Sequence, residues 1–317
     1  MQMVEHVVDV HGSNVCNGRR SPDAVGSVLR CVEPLLRDAV NMAFRYKSRV
    51  KGRRPDWLKR ATTVRFADVS DGDDCTRLHF EVPRLGEAAS DLYQQHRLFE
   101  TPPNEKDTSF DLVGDVFRDI LDTPRDSARF DANLLGRVGS FSSRVFKRGV
   151  DSLILRGDRL PEVLPPTLDS HLSKMAVELR REIPAPKRSR VAGKLDMIRD
   201  SDGAFSLILN NGETIHGILE DDKSDVFARC WRQFVVVEGK AVFRPSGLLL
   251  RIEAQAMELA GEADAFFSTV PEATPVRFDV RTVREPQTST SGVGAVFGKW
   301  PGDETEEELL AALRREH

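Results

Sequence analysis

Residues 190–219 read RVAGKLDMIRDSDGAFSLILNNGETIHGIL. Three runs rich in apolar and β-branched residues stand in this stretch, Arg190–Arg199, Ala204–Leu209 and Thr214–Leu219, and each is bounded by turn-forming residues. The last two are joined through Asn210-Asn211-Gly212, and Asn-Gly is the strongest short hairpin signal because both residues tolerate positive φ. A short, polar, helix-like segment over Asp221–Cys230 follows. Two more strands, Phe234–Phe243 and Leu248–Ala254, flank Pro245-Ser246-Gly247. The order β-β-β-α-β-β is the layout of an OB-like Greek-key barrel with its helix between strands three and four. Gly193 falls inside the first strand, where barrel closure calls for a bend or bulge. An SH3-like barrel or a plain sheet is the alternative.

Upstream of the barrel, Val4–Val10 (VEHVVDV) is β-branched and short, which predicts a strand. Ser21-Pro22-Asp23 then opens a helix, with Ser21 as N-cap and Pro22 at the first helical position; apolar residues keep helical spacing to about Arg45. Thr62–Val69 and Thr76–Val82 predict two strands around Ser70-Asp71-Gly72-Asp73. From Gly86 to Lys147 the periodicity is helical, with one amphipathic helix over Phe110–Leu121 and another over Phe130–Phe146. Leu153-Ile154-Leu155 predicts a strand returning to the first sheet, and Thr167–Ile183 a further helix before the linker at Pro184 and Pro186. The expected class is α+β. An N-terminal β-α-β-β unit with helices spans 1–184 and the OB-like barrel 185–283. A flexible tether with an amphipathic helix spans 284–317.

Composition narrows the function classes. With 46 basic and 50 acidic side chains the formal charge is -4, so any attraction to nucleic acid must come from a local patch. Cys16, Cys31, Cys75 and Cys230 are scattered, without CxxC pairs or a His at metal-ligand spacing, which argues against a structural zinc site and against a secreted disulfide framework. No apolar run approaches the ~20 residues of a spanning helix, and Met1–Val10 lacks the pattern of a signal peptide. A cytoplasmic protein is expected, with no cofactor and no metal.

The C-terminal segment is specified locally. Thr305-Glu306-Glu307-Glu308 is a capping box, acids crowd the first turn, and Arg314 and Arg315 lie in the last. A helix of about twelve residues is marginal alone in water, so Leu309, Leu310 and Leu313 must be covered either by their own chain or by a partner reached through the tether at 286–294. The stretch FGKWPGDETEEELLAALRR, residues 297–315, resembles the C-terminal tails of antitoxin-like proteins paired with PIN-domain ribonuclease toxins. That resemblance implies a non-enzymatic inhibitor that neutralises a PIN-type ribonuclease through this helix. Phe297, Trp300, Asp303, Glu304, Glu307, Leu309, Leu310 and Leu313 would be the contact residues. It covers about 19 residues of the tail, and 191–258 more loosely. The typical small antitoxin is far shorter than this chain.

A second reading rests on the basic segment. Arg45, Lys47, Arg49, Lys51, Arg53, Arg54, Lys59 and Arg60 are interleaved with Tyr46 and Trp57, and Asp56 is the one acid among them. Such a run either is a solvated helix end or binds phosphates in a salt-sensitive, sequence-independent way, with aromatics available to stack on bases. Under this alternative the chain is a nucleic-acid-binding or regulatory protein, with Arg45, Lys47, Arg49, Lys51, Arg53, Arg54 and Trp57 as contacts. On the barrel's usual binding face Phe205 and His216 are the only rings, which favours a structural or protein-docking barrel over a single-strand binder. Gly292-Val293-Gly294-Ala295 follows a polar tether and is no dinucleotide loop; no GxxxxGK[ST] occurs, and Gly139–Arg144 is no nucleophile elbow. The histidines show no metal or triad spacing, and an enzyme is not expected.

Overall fold

The computed structural model describes residues 2–12, 15–16, 19–50, 52, 54–72, 74–93, 103–122, 125–199, 203–219 and 229–274. Met1–Val276 cluster into one compact unit and Arg277–His317 into another; the latter lies outside the described residues. The protein is mixed α+β with a closed five-stranded barrel.

The first layer is β1 (Met3–His11), a short pair β2 (Val15–Cys16) and β3 (Arg19–Arg20), α1 (Pro22–Arg45) and α2 (Asp56–Ala61). It continues with β4 (Arg65–Asp71), β5 (Thr76–Pro83), α3 (Leu85–Ala88), α4 (Ser90–Tyr93) and α5 (Ser109–Asp122). Then come α6 (Ala132–Gly139), α7 (Phe141–Arg144), β6 (Ser152–Arg156), β7 (Thr167–Asp169) and α8 (Ser170–Glu182). The antiparallel sheet runs β4-β5-β1-β6-β7, so 153–155 does return to the first sheet, beside β1. Strand alternation sends Val8, Val10, Leu78, Phe80, Leu153 and Leu155 to one face, where α1, α5 and α8 cover them. Ser21 caps α1 as expected, its hydroxyl accepting from the Ala24 amide at 3.2 Å.

Three sequence expectations shift. Thr62 and Thr63 close α2 through hydrogen bonds to Leu58 and Lys59 carbonyls, and the strand starts only at Arg65. The helix expected from Thr167 begins at Ser170: Thr167–Asp169 pairs with β6, and the Asp169 carboxylate then caps α8 by accepting from the Leu172 amide. The single helix expected over 130–146 breaks into α6 and α7, joined at Ser140.

The barrel comprises β8 (Lys187–Arg199), β9 (Ala204–Ile208), β10 (Thr214–Leu219), β11 (Phe234–Phe243) and β12 (Leu249–Leu259). Its order is β10-β12-β11-β8-β9, closed by β9–β10, with β10 and β12 parallel and every other pair antiparallel. That is the OB-like arrangement. Closure is done by β8, which pairs with β11 through Lys187–Lys194 and with β9 through Lys194–Arg199. The bulge falls between Leu195 and Met197, just past Gly193. The Asn-Gly hairpin is a three-residue loop: the Gly212 amide donates to the Leu209 carbonyl, and Gly212 takes φ 85°. Inside, Phe205 lies over Gly217, where a Cβ would meet its ring at 2.2 Å. Most of 221–230, the expected helix, falls outside the described residues. No helix among the described residues is long and apolar enough to cross a membrane.

Candidate functional site

The C-terminal half of α1 carries Arg37, Asp38, Asn41 and Arg45 on successive turns. Tyr46 ends the helix in the left-handed region at φ 53° and turns the chain back. Asp131 holds the returning segment: its carboxylate accepts from the Ser48 amide at 3.1 Å and the Ser48 hydroxyl at 2.6 Å. The same carboxylate caps α6 by accepting from the Asn133 and Leu134 amides. One buried acid thus fixes both the 48–54 segment and the start of α6.

Two cavities open along this junction. One, of about 140 Å³, is lined by Arg37, Asp38, Asn41, Arg45, Ser48, Arg49 and Arg54, with apolar residues behind them. The other, of about 200 Å³, is lined by Arg49, Asn133, Gly136, Arg137, Ser140, Arg144 and Arg180. Arg49 belongs to both. Among the described residues, seven arginines therefore face two polar cavities, and Asp38 is the single acid in their walls.

Asp38 is committed to that wall. It is 1% exposed, pairs with Arg137, and stands 3.7 Å from Arg37. Burial pushes its carboxyl upward even against the Arg137 hydrogen bond and the charges of Arg137, Arg37 and Arg49. Arg37 is pushed down from its ordinary value, first by burial and next by the nearby Arg54 charge. Arg49, Arg54, Arg144 and Arg180 are exposed, and none has an acidic partner among the described residues. The result is a concentration of cationic forks that an anion would relieve. Guanidinium groups match phosphate oxygens bidentately, so the arrangement suits a polyanion with repeated phosphates.

The expected contact residues distribute unevenly. Arg45, Arg49 and Arg54 line the cavities. Lys47 instead reaches Glu253 of the barrel at 3.2 Å, with both side chains largely covered. Trp57 is 4% exposed and packs edge-on against Phe44, so it offers no face to a base. Tyr46 is stacked on His216 at 4.5 Å between ring centres. Lys59 and Arg60 pair with Asp56 and Asp91. Lys51 and Arg53 lie outside the described residues, as do Phe297, Trp300, Asp303, Glu304, Glu307, Leu309, Leu310 and Leu313.

Sequence reasoning missed Arg37, Arg137, Arg144 and Arg180. Arg137 and Arg144 are seven apart, a spacing that would share one face of a continuous helix, but α6 and α7 are separate and only the fold brings both cations beside 45–54.

The barrel's strands two and three are already engaged. Ala204–Leu207 are buried on both faces of β9, Phe205 points into the barrel core, and His216 on β10 is covered by Tyr46. Burial lowers the His216 pKa, with the Arg244 charge adding to it. Arg251 on β12, 3% exposed, donates to the Tyr46 carbonyl, pairs with Glu253 at 2.7 Å, and stands 3.4 Å from Asp131. The face that an OB-like barrel ordinarily offers to a strand is turned to its own chain.

The chain matches no protein-family model, and no curated protein or solved structure matches it.

Proposed function

We propose that this is a non-enzymatic nucleic-acid-binding protein that grips the phosphate backbone with the arginines around Arg49, while the barrel braces the helix that carries them. The observation that carries the reading is the pair of adjoining cavities walled by seven arginines and one acid, in a chain whose formal charge is -4. Among the described residues of this cluster no ring is exposed, Trp57 and Tyr46 both being packed, which favours backbone contact over base stacking. Binding is therefore expected to be indifferent to sequence and no stronger for single strands than for duplex. Fluorescence anisotropy with duplexes of scrambled sequence, and with matching single strands, measures both. A strong preference for one sequence or for unpaired bases would overturn the backbone-grip reading.

A second reading is favoured by the tail. The segment 297–315 resembles antitoxin tails, so the C-terminal helix would cover the groove of a PIN-type ribonuclease, with Trp300 and the leucines as anchors. Nucleic-acid binding and nuclease inhibition are compatible, since they use different parts of the chain. Removal of residues 297–317 is expected to abolish co-purification of such a nuclease while leaving duplex binding intact. Unchanged capture by the shortened chain would remove the tail from the account.

A further inference from the structure

The sheet face turned away from the helices holds a different constellation. Asp9 and His11 are two apart on β1 and project from that face. The β1–β5 register, with Val10 opposite Thr76 and Asp9 opposite Arg77, brings Cys75 opposite His11. One donor atom from each of Asp9, His11 and Cys75 lies within 4.8 Å of the other two. Asp9 is 2% and Cys75 7% exposed.

The hydrogen bonding around these groups is partial, and the Arg77 side chain reaches the Cys75 sulfur. Arg156 Nε donates to Asp9 Oδ2 at 2.5 Å, which fixes the carboxylate. Asp9 Oδ1 is buried with no hydrogen-bond partner, and Arg77 Nε stands off at 3.6 Å. His11 Nε2 is also buried without a partner, while Nδ1 is 3.6 Å from Asp74 Oδ2. A buried carboxylate oxygen and a buried imidazole nitrogen left without hydrogen bonds are costly unless something else meets them.

We propose that Asp9, His11 and Cys75 form a binding site for a borderline divalent metal ion of the zinc class, with solvent free to fill the fourth position. A thiol, an imidazole and a carboxylate together select Zn2+ or Co2+ over Mg2+ or Ca2+, which prefer oxygen alone. Tetrahedral bonds of 2.0–2.3 Å put ligand atoms roughly 3.5 Å apart, so side-chain rotations from the present spacing suffice. Asp9 and His11 sit on β1 and Cys75 immediately precedes β5, its paired neighbour, which keeps the three close before metal arrives. Arg156 acts from behind as the outer partner that orients the ligating carboxylate. On binding, the Cys75 thiol releases its proton to solvent and coordinates as thiolate. This inference stands apart from the arginine cavities and from the tail.

The test uses the full-length chain stripped by chelator. Calorimetric titration with ZnCl2 is expected to show saturable binding, and MgCl2 none. CoCl2 is expected to give the intense near-ultraviolet band of a thiolate–cobalt bond. Cys75→Ser should abolish the band, and His11→Gln should weaken Zn2+ binding by about tenfold or more. Both variants are to be checked metal-free by circular dichroism. Should either fail to fold, peptide mapping of the wild-type chain after brief alkylation gives the same answer, with Zn2+ expected to protect Cys75. No Zn2+ binding, wild-type affinity in either variant, a band that survives Cys75→Ser, or unprotected Cys75 would each overturn the site.

Discussion

Four exposed arginines without an ion pair among the described residues give the phosphate-binding reading a number that can fail. Each phosphate neutralised on duplex DNA contributes a slope of about -0.9 to log K against log salt. If Arg49, Arg54, Arg144 and Arg180 each engage one phosphate, the slope is about -3.6, and a fourfold rise in salt weakens binding about 150-fold. Replacing Arg144 and Arg180 by Ser should halve the slope to about -1.8, so the same salt step costs only about 12-fold. Replacing all four should leave almost no salt dependence. These side chains are exposed and make no ion pair among the described residues, so the substitutions should move stability by no more than about 0.5 kcal/mol. Anisotropy of a labelled duplex across a KCl series, with a melting curve for each variant, supplies every quantity. A wild-type slope shallower than about -1, or a quadruple variant that keeps the wild-type slope, would refute the reasoning.

Two more outcomes follow from the buried polar contacts. Arg251→Met removes the guanidinium from between two buried carboxylates, leaving Asp131 with hydroxyl and amide donors and Glu253 with Lys47. Burial alone would raise the Glu253 pKa, but Arg251 and Lys47 outweigh it and hold it below the usual range. The variant should therefore lose about 3–5 kcal/mol in urea denaturation, and a loss under about 1 kcal/mol would show the network to be dispensable. His6 and His216 are both held below the ordinary value of 6.5, chiefly by burial. The unfolded chain then binds protons more readily than the folded one, so stability is full above that value and falls as pH drops below it. His216→Phe keeps a ring against Tyr46 and should flatten the decline between about pH 7 and about pH 5; an identical decline would assign it elsewhere.

Much of the fold was legible because strand period and turn chemistry agreed. The barrel strands over 190–254 are bounded by Asn-Gly, Pro-Ser-Gly and a polar insert, and the structure ends them within a few residues of those marks, save the last, which runs on to Leu259. The first turn of the expected helix at Thr167 failed for a local reason: Leu168 satisfies a strand and a helix equally, and pairing with Leu153 decides between them. The candidate site was half legible. A charge run from Arg45 to Arg54 is visible in one dimension, but an aromatic among cations can serve as a stacking platform or a core residue. Only the contact with Phe44 assigns Trp57 to the core. Arg137, Arg144 and Arg180 look like ordinary helix-surface cations until α6, α7 and α8 are brought against α1. The Asp9, His11 and Cys75 cluster escapes any spacing rule because it joins β1 to the turn before β5, some sixty residues on in sequence.

The end of α1 has a consequence for how the two halves depend on each other. Its last carbonyls are not left to water: the Phe44 oxygen accepts from Arg199, and the Tyr46 oxygen from Arg251, both guanidiniums of the barrel. A helix terminus capped from another element frays when that element is withdrawn. A chain stopped before Lys187 would keep every residue that lines the arginine cavities yet lose the clamp on the turn that aims Arg45 and Arg49. Loss of the barrel would thus register as weakened grip on a phosphate backbone that the barrel itself never touches.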